Sequence, residues 1–386
     1  MRSGRSRAWV VVGLAIIVGA VAAAWSADRR SPSQGSSNGA ADGEVTTSVR
    51  SAASSQVSRS EPPETTASVA ATTTGPLGSG EAITIAFGGD VHFEAEIRAA
   101  LDARGDTLLS EIAPVLGAAD LTVINLETAI TERGDPADKA YVFRAPARSL
   151  DALTAAGVDV VSMANNHGLD FGDAGFDDSL AAESSTGMPI IGIGRDAAEA
   201  YAPHVVDIRG QRVAVLGATQ VLDDALVADW SASDGHRGLA SAKDVERLLA
   251  AVRTARTTST TVVVFLHWGT EKQTCPQDRQ TALARQLVDA GADIVVGGHA
   301  HRLQGAGRLG NAFVGYGLGN FVFYTDSGPG TSTGVLTVTV TGRRIDGYRW
   351  APARIEGGLP VPLVGDEATA AEREWQSLRA CTDLLP

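Results

Sequence analysis

The chain has 386 residues, 44% of them hydrophobic and 20% charged, with a formal net charge of −13 and two cysteines. Two cysteines exclude a disulfide-stapled miniprotein and a zinc site built on four thiolates. The acidic balance argues against nucleic acid as a partner, because phosphate binding rests on clustered Lys and Arg. Residues 1–80 carry seven Arg against five acids, so residues 81–386 hold 25 basic and 40 acidic residues, a net of −15.

Arg2, Arg5 and Arg7 precede an uncharged run of 20 residues from Ala8 to Ala27. As a helix this run is about 30 Å long, the thickness of a hydrocarbon core. Trp9 and Trp25 lie near its two ends, where indole rings favour the interface. Residues 1–27 read as a retained signal anchor that attaches the chain to the membrane. A cleaved signal peptide is the rival reading, with Ala22-Ala23-Ala24 as a small-residue cleavage site, although the apolar run exceeds the usual signal core. The first reading places a single-pass protein in the cell membrane with its folded part extracytoplasmic; the second makes it secreted. Residues 28–80 contain 19 Ser or Thr in 53 positions and no aromatic residue, the composition of a disordered linker.

From Ile83 onward, short apolar runs alternate with helix-like stretches, the pattern of an α/β fold. Strands are expected at Ile83–Phe87, Leu121–Asn125, Val158–Met163, Val213–Gly217, Thr261–Leu266, Asp293–Val296, Ala312–Tyr316 and Gly334–Thr341. Helices are expected over Leu150–Ala156, Ala242–Ala255 and Arg279–Ala290, with Gly157 and Gly291 as helix-ending glycines. One large domain over 81–365 and a tail over 366–386 follow.

The chemistry lies at the ends of these strands. They lead in turn into Gly88-Gly89-Asp90-Val91-His92, Asn125-Leu126-Glu127, Asn165-Asn166-His167, His267-Trp268-Gly269 and Gly297-Gly298-His299-Ala300-His301. Five of the seven histidines sit there; His204 and His236 do not. Strand ends are where α/β folds bind ligands. Alone, Gly-Asp after a strand is usually a turn and Asn-His an Asx-turn or cap. Together, carboxylate, imidazole and amide oxygen suit borderline divalent ions such as Mn, Zn or Fe. Alternation in Asp90-x-His92 and His299-x-His301 points the members of each pair the same way if the backbone is extended. Two such ions can clamp a phosphoryl group and activate water.

In this order, the blocks Phe87–Asp90, Asn125–Thr128, Phe143–Pro146, Ala164–His167, His267–Gly269 with Glu271, Gly297–His301 with Gln304, and Leu318–Phe321 resemble the CapA family of capsule and poly-γ-glutamate biosynthesis proteins. That family is similar in fold to calcineurin-like metallophosphoesterases. The resemblance spans roughly residues 83–325 and implies a four-layer α/β/β/α sandwich. It implies two divalent metal ions held by Asp90, His92, Glu127, Asn166, His267, His299 and His301, with Glu127 bridging and His167 as proton donor to the leaving group. Glu127 stands where ordinary metallophosphoesterases have Asp. Gly298 and Ala300 stand where many relatives have His and Pro, which implies a larger or looser site. The family's opening block often lacks His92, which ranks it as an accessory ligand.

Arg144 and Asn320 are candidate substrate-binding residues. The first can pair with a carboxylate or phosphate or form a structural ion pair; the second can also serve a turn. Glu271 can support His267 or be a solvated acid, and Trp268 reads as a pocket wall. Cys275 and Cys381 form a disulfide if the chain is exported and their positions allow it. The implied function is membrane-anchored work in capsule or poly-γ-glutamate synthesis or export through a metal-dependent hydrolase-type site. Its partners would be an anionic cell-surface polymer or the synthesis machinery. The alternatives are a secreted metallophosphodiesterase or nucleotidase unrelated to capsule, and a non-catalytic polymer-binding assembly factor.

Overall fold

The computed structural model describes residues 80–386. The expected membrane segment and all of the linker except Gly80 lie outside the described residues. Among the described residues, no helix is long and apolar enough to cross a membrane.

The chain builds two sheets in turn and then returns to the first. Strands β1 (Ile83–Val91), β2 (Leu121–Leu126), β3 (Val160–Ser162) and β4 (Ile190–Ile191) lie parallel in that order. The second sheet follows, from β5 (His204–Ile208), β6 (Gln211–Thr219), β7 (Thr261–His267), β8 (Ile294–Gly298), β9 (Ala306–Leu309) and β10 (Ala312–Gly315). Its spatial order is β9-β10-β8-β7-β6-β5, with β6, β7, β8 and β10 parallel. Strands β11 (Asn320–Val322), β12 (Ser332–Thr341), β13 (Arg344–Glu356) and β14 (Leu359–Pro362) then rejoin the first sheet. There β12 pairs antiparallel with the first half of β1, and β11 pairs parallel with its last residues.

Period-two patterning sorts side chains to the two faces of each strand. In β7, Val263 and Phe265 join Ile85 and Phe87 of β1 in a core between the sheets. Val262, Val264 and Leu266 face the other way, into a core completed by Leu248, Val252, Leu283 and Leu287. On the first sheet, Ile124 and Val161 form an outer core with Ile97, Leu101, Leu150, Leu153 and Phe176. These outer residues come from helices α1 (Glu96–Arg104), α2 (Arg148–Ala155), α3 (Gly172–Thr186), α4 (Val245–Thr258) and α5 (Asp278–Ala290). Three separate cores therefore divide four layers: helices, sheet, sheet, helices.

Local signals end the helices where the sequence places them. Gly157 and Gly291 follow α2 and α5 with φ of 90° and 115°, a conformation that favours glycine. Asp244 caps α4 by accepting from the Arg247 amide, and Gln277 and Gln280 form a reciprocal capping box on α5. The stretch read as a tail packs on the domain. Its helix α6 (Gly365–Ser377) buries Trp375, stacked on Trp350 of β13 with ring centres 5.0 Å apart. Cys381 is joined to Cys275 in a disulfide with Cα atoms 5.7 Å apart.

Candidate metal centre

The parallel strands of both sheets deliver their C-terminal ends to one place. Asp90 lies near the end of β1, opposite Asn125 on β2 and Asn320 on β11. His267 is the last residue of β7, opposite Thr219 and Gly298. Two contacts join the sheets here. The His299 amide donates to Asp90 Oδ2 at 2.9 Å, and Asn125 Nδ2 lies 3.1 Å from His267 Nδ1 while donating to Asp90 Oδ1 at 2.8 Å.

Glu127, one residue beyond β2, is at the centre. It is fully buried, and neither carboxylate oxygen has a hydrogen-bond partner. Its Oε1 lies 3.5 Å from His267 Nε2 and 3.9 Å from both His167 Nε2 and His301 Nε2. Glu127, His267 and His299 bring ligand atoms within 4.8 Å of one another, as do Asp90, Glu127 and His301. Glu127 belongs to both groups. Asn166 Oδ1 lies 2.7 Å from His267 Nε2, beside the first. A buried carboxyl left without a donor costs about 1–3 kcal/mol or more, and His299 Nδ1 is also buried without a partner.

The His299–His301 pair reaches the cluster by a route other than strand alternation. Both residues have positive φ, 84° and 49°, so their side chains converge through left-handed backbone. Gly298 acts as the opposite of a loosening substitution: a Cβ there would lie 2.1 Å from Asp90 Oδ1. Asn320 is buried; its Oδ1 lies 2.8 Å from His301 Nδ1 and its Nδ2 donates to the Gly330 carbonyl. It orients His301.

His92 stands apart from both groups. Its Nδ1 accepts from the Glu94 amide at 3.1 Å, Nε2 lies 3.4 Å from the Tyr324 amide, and the ring packs against Phe143 and Phe323. Arg144 lies over the Phe171 ring at 3.9 Å, while its backbone amide donates to Glu94. Glu271 is exposed, and Trp268, expected as a pocket wall, is instead fully buried in the outer core, where its Nε1 donates to the Tyr316 carbonyl.

His167 has partners that sequence reasoning missed. Its Nδ1 lies 2.6 Å from Asp170 Oδ2, and Lys139 Nζ meets Asp170 Oδ1 at 2.8 Å and the Asn166 carbonyl. Asn165 Oδ1 accepts from the His167 amide, and Asn165 Nδ2 donates to Asn125. The three-residue spacing from His167 to Asp170 was a readable signal; nothing in the sequence singled out Lys139.

Burial dominates the electrostatics. It pushes the Glu127 carboxyl well above the usual range, helped by the nearby Asp90 charge. Burial, with His301 beside it, holds His299 down at about 3, and burial lowers His267 and His92 well below an ordinary imidazole. At His301 burial also opposes the charge, but Glu127 and Asp90 outweigh it and hold the ring at about 9. Burial lowers His167, against the opposing effect of Asp170.

The profile of a family described as "Bacterial capsule synthesis protein PGA_cap" matches residues 84–325. The chain belongs to this family. Among its relatives, the PGA biosynthesis protein CapA of Bacillus subtilis (strain 168) is 30% identical over 249 residues, covering 64% of each chain. The capsule biosynthesis protein CapA of Bacillus anthracis is 32% identical over 251 residues, covering 63% of this chain and 60% of that one. The chain thus spans less than two thirds of the length of these relatives. Among solved structures, the sulfate thiohydrolase SoxB of Thermus thermophilus, in complex with glycerol, is 15% identical with a TM-score of 0.42, covering 76% of this chain and 60% of that one.

Proposed function

We propose that this family member is a membrane-anchored, extracytoplasmic protein of capsule or poly-γ-glutamate synthesis or export, with a two-metal hydrolase-type centre like that of metallophosphoesterases. The 20-residue uncharged run behind Arg2, Arg5 and Arg7 supports the anchor. The family match and its named relatives support the biological role. Glu127 carries the metal reading: its two buried oxygens lack donors and its neighbours are imidazole nitrogens, an arrangement that divalent cations would satisfy.

The residues fit the group. One ion would be held by Glu127, His267 and His299 with Asn166 beside them, and the other by Asp90, Glu127 and His301; this mixed oxygen and nitrogen set suits Mn, Zn or Fe. Such ions supply Lewis-acid activation of water and neutralise developing negative charge. The chain's own part is proton transfer and positioning. His167 presents Nε2 to the cluster and is held through Nδ1 by Asp170, which Lys139 and the Phe143 amide fix in turn. Asp170 stabilises the imidazolium, and His167 gives its Nε2 proton to the leaving group.

Elemental analysis of the purified full chain after Mn addition is expected to find about two ions per chain. His167→Ala is expected to keep them while losing roughly a hundredfold or more of hydrolysis, measured on phosphodiesters and γ-glutamyl amides. A chain that takes up no ion refutes the metal centre. Metal uptake without turnover on either substrate, unchanged by His167→Ala, refutes the hydrolase.

A further inference from the structure

At the end of the domain opposite the Glu127 cluster, a cleft of about 580 Å³ lies between the start of β8, the β9–β10 turn and the β12–β13 hairpin. Three arginines line it, Arg308, Arg343 and Arg344, against one acid, Asp293, in a domain whose net charge is −15. That acid is already committed. It is buried, with Oδ1 accepting from Arg343 Nε at 3.2 Å and Oδ2 from the Val262 amide and from Arg256. Asp346, next in sequence to the lining Ile345, accepts from Arg344 Nε and the Thr341 hydroxyl. Arg308 donates to the Ile345 carbonyl at 2.9 Å, and among the described residues it has no carboxylate ion-pair partner. Arg343 and Arg344 use only Nε; their side chains are 53% and 74% exposed, so their Nη groups face solvent uncommitted. The cleft therefore presents accessible guanidinium donors in excess of the carboxylates beside them.

The same end receives the incoming chain. Gln211, fully buried, donates to the Glu81 carbonyl and accepts from the Gly342 amide at 3.1 Å. One side chain thus joins the entry to β1 to the hairpin that carries Arg343 and Arg344, and Ile83 pairs with Val340 beside it. We propose that this face docks on an anionic membrane, with the phosphate of a lipid headgroup seated among the three arginines. The partner is a lipid surface because the uncharged run from Ala8 to Ala27 precedes this entry in the chain. Docking of a tethered domain is an intramolecular event, so a contact of a few guanidinium groups suffices. Asp90, seven residues beyond Ile83 on β1, then stands about 23 Å further along the strand from the docked end. Docking turns the cluster away from the lipid, toward the outside. This rests on reading residues 1–27 as a membrane anchor.

The test is hydrogen exchange of the full chain in bilayer discs of phosphatidylcholine alone and of phosphatidylcholine mixed equally with phosphatidylglycerol. In the mixed discs the amides of Gly310, Asn311 and Arg343 are expected to exchange at least about tenfold more slowly, the effect of two or more cations at an anionic surface, and high salt is expected to abolish the difference. Arg308→Gln combined with Arg344→Gln is expected to return the exchange to its rate in phosphatidylcholine at unchanged metal uptake. Equal exchange in the two discs keeps the anchor and overturns the docking face, as does protection that the double variant retains. Inorganic phosphate is the third arm: if it slows the same amides as far in phosphatidylcholine discs, the occupant is a free anion and the membrane proposal is overturned. If the double variant does not fold, Arg344→Gln alone and the salt dependence decide. A chain that enters neither disc removes the anchor. Sedimentation with phosphatidylglycerol vesicles then tests the face by itself: binding that Arg344→Gln weakens keeps it, and absent or unweakened binding overturns it.

Discussion

At the scale of single residues, Glu127 sets stability against function. Its carboxyl is buried, lacks donors and sits near Asp90, so in the metal-free chain it is a liability. Glu127→Gln keeps the shape and removes the charge. The variant is expected to melt no lower than the metal-free wild type while losing metal uptake. Added Mn should raise the wild-type melting temperature by mass action and leave the variant unmoved. A variant that still gains stability from Mn would show that Glu127 is not a ligand. Glu127 was legible in the sequence because Asn-Leu-Glu follows an apolar run. His92 was equally legible by its spacing, yet its Nδ1 is occupied by a backbone amide. Spacing names the candidates, but the direction of each side chain depends on tertiary neighbours such as Phe143 and Phe323.

At the scale of elements, the turn after β8 does the aiming. Positive φ at His299 and His301 turns both rings toward Glu127, and Gly298 lets Asp90 come close. Gly298→Ala would set a methyl group 2.1 Å from Asp90 Oδ1. The expected result is a fold that survives with metal affinity about tenfold or more lower, by isothermal titration. Gly347→Ala, whose Cβ would meet nothing within 4 Å, serves as the control. Equal affinities in the two variants would show that Asp90 does not depend on this approach. Elements with strong local signals were readable: the apolar strands, the α2 and α5 helices and their glycine stops. Helix α3 was not, because it opens on Gly-Asp-Ala-Gly, and α6 was not, because Trp375 is its one fully buried residue. Such segments take their structure from the surface they cover.

At the scale of the whole molecule, the disulfide joins residues 106 apart and ties the chain end to the segment that follows β7. Closing a loop of this size removes unfolded-state entropy worth about 5 kcal/mol. The Cys275→Ser, Cys381→Ser double variant is expected to unfold at correspondingly lower denaturant while keeping metal uptake at 25 °C. An unchanged midpoint would mean that the bridge constrains nothing. The charge division along the chain was legible from composition alone; that the last twenty residues belong to the domain was not.

The return of the chain to its first sheet has a consequence for biosynthesis. Strand β1 emerges first, yet its partner on one side, β12, lies some 250 residues later in the sequence. Until that strand has been made, the edge of β1 from Ile83 to Phe87 is open, and until β11 has been made His301 lacks its orienting partner Asn320. The site therefore cannot mature domain-half by domain-half during synthesis. An interrupted chain carries every early ligand but lacks the strands that align them, so the centre takes shape only once β11 and β12 have been made.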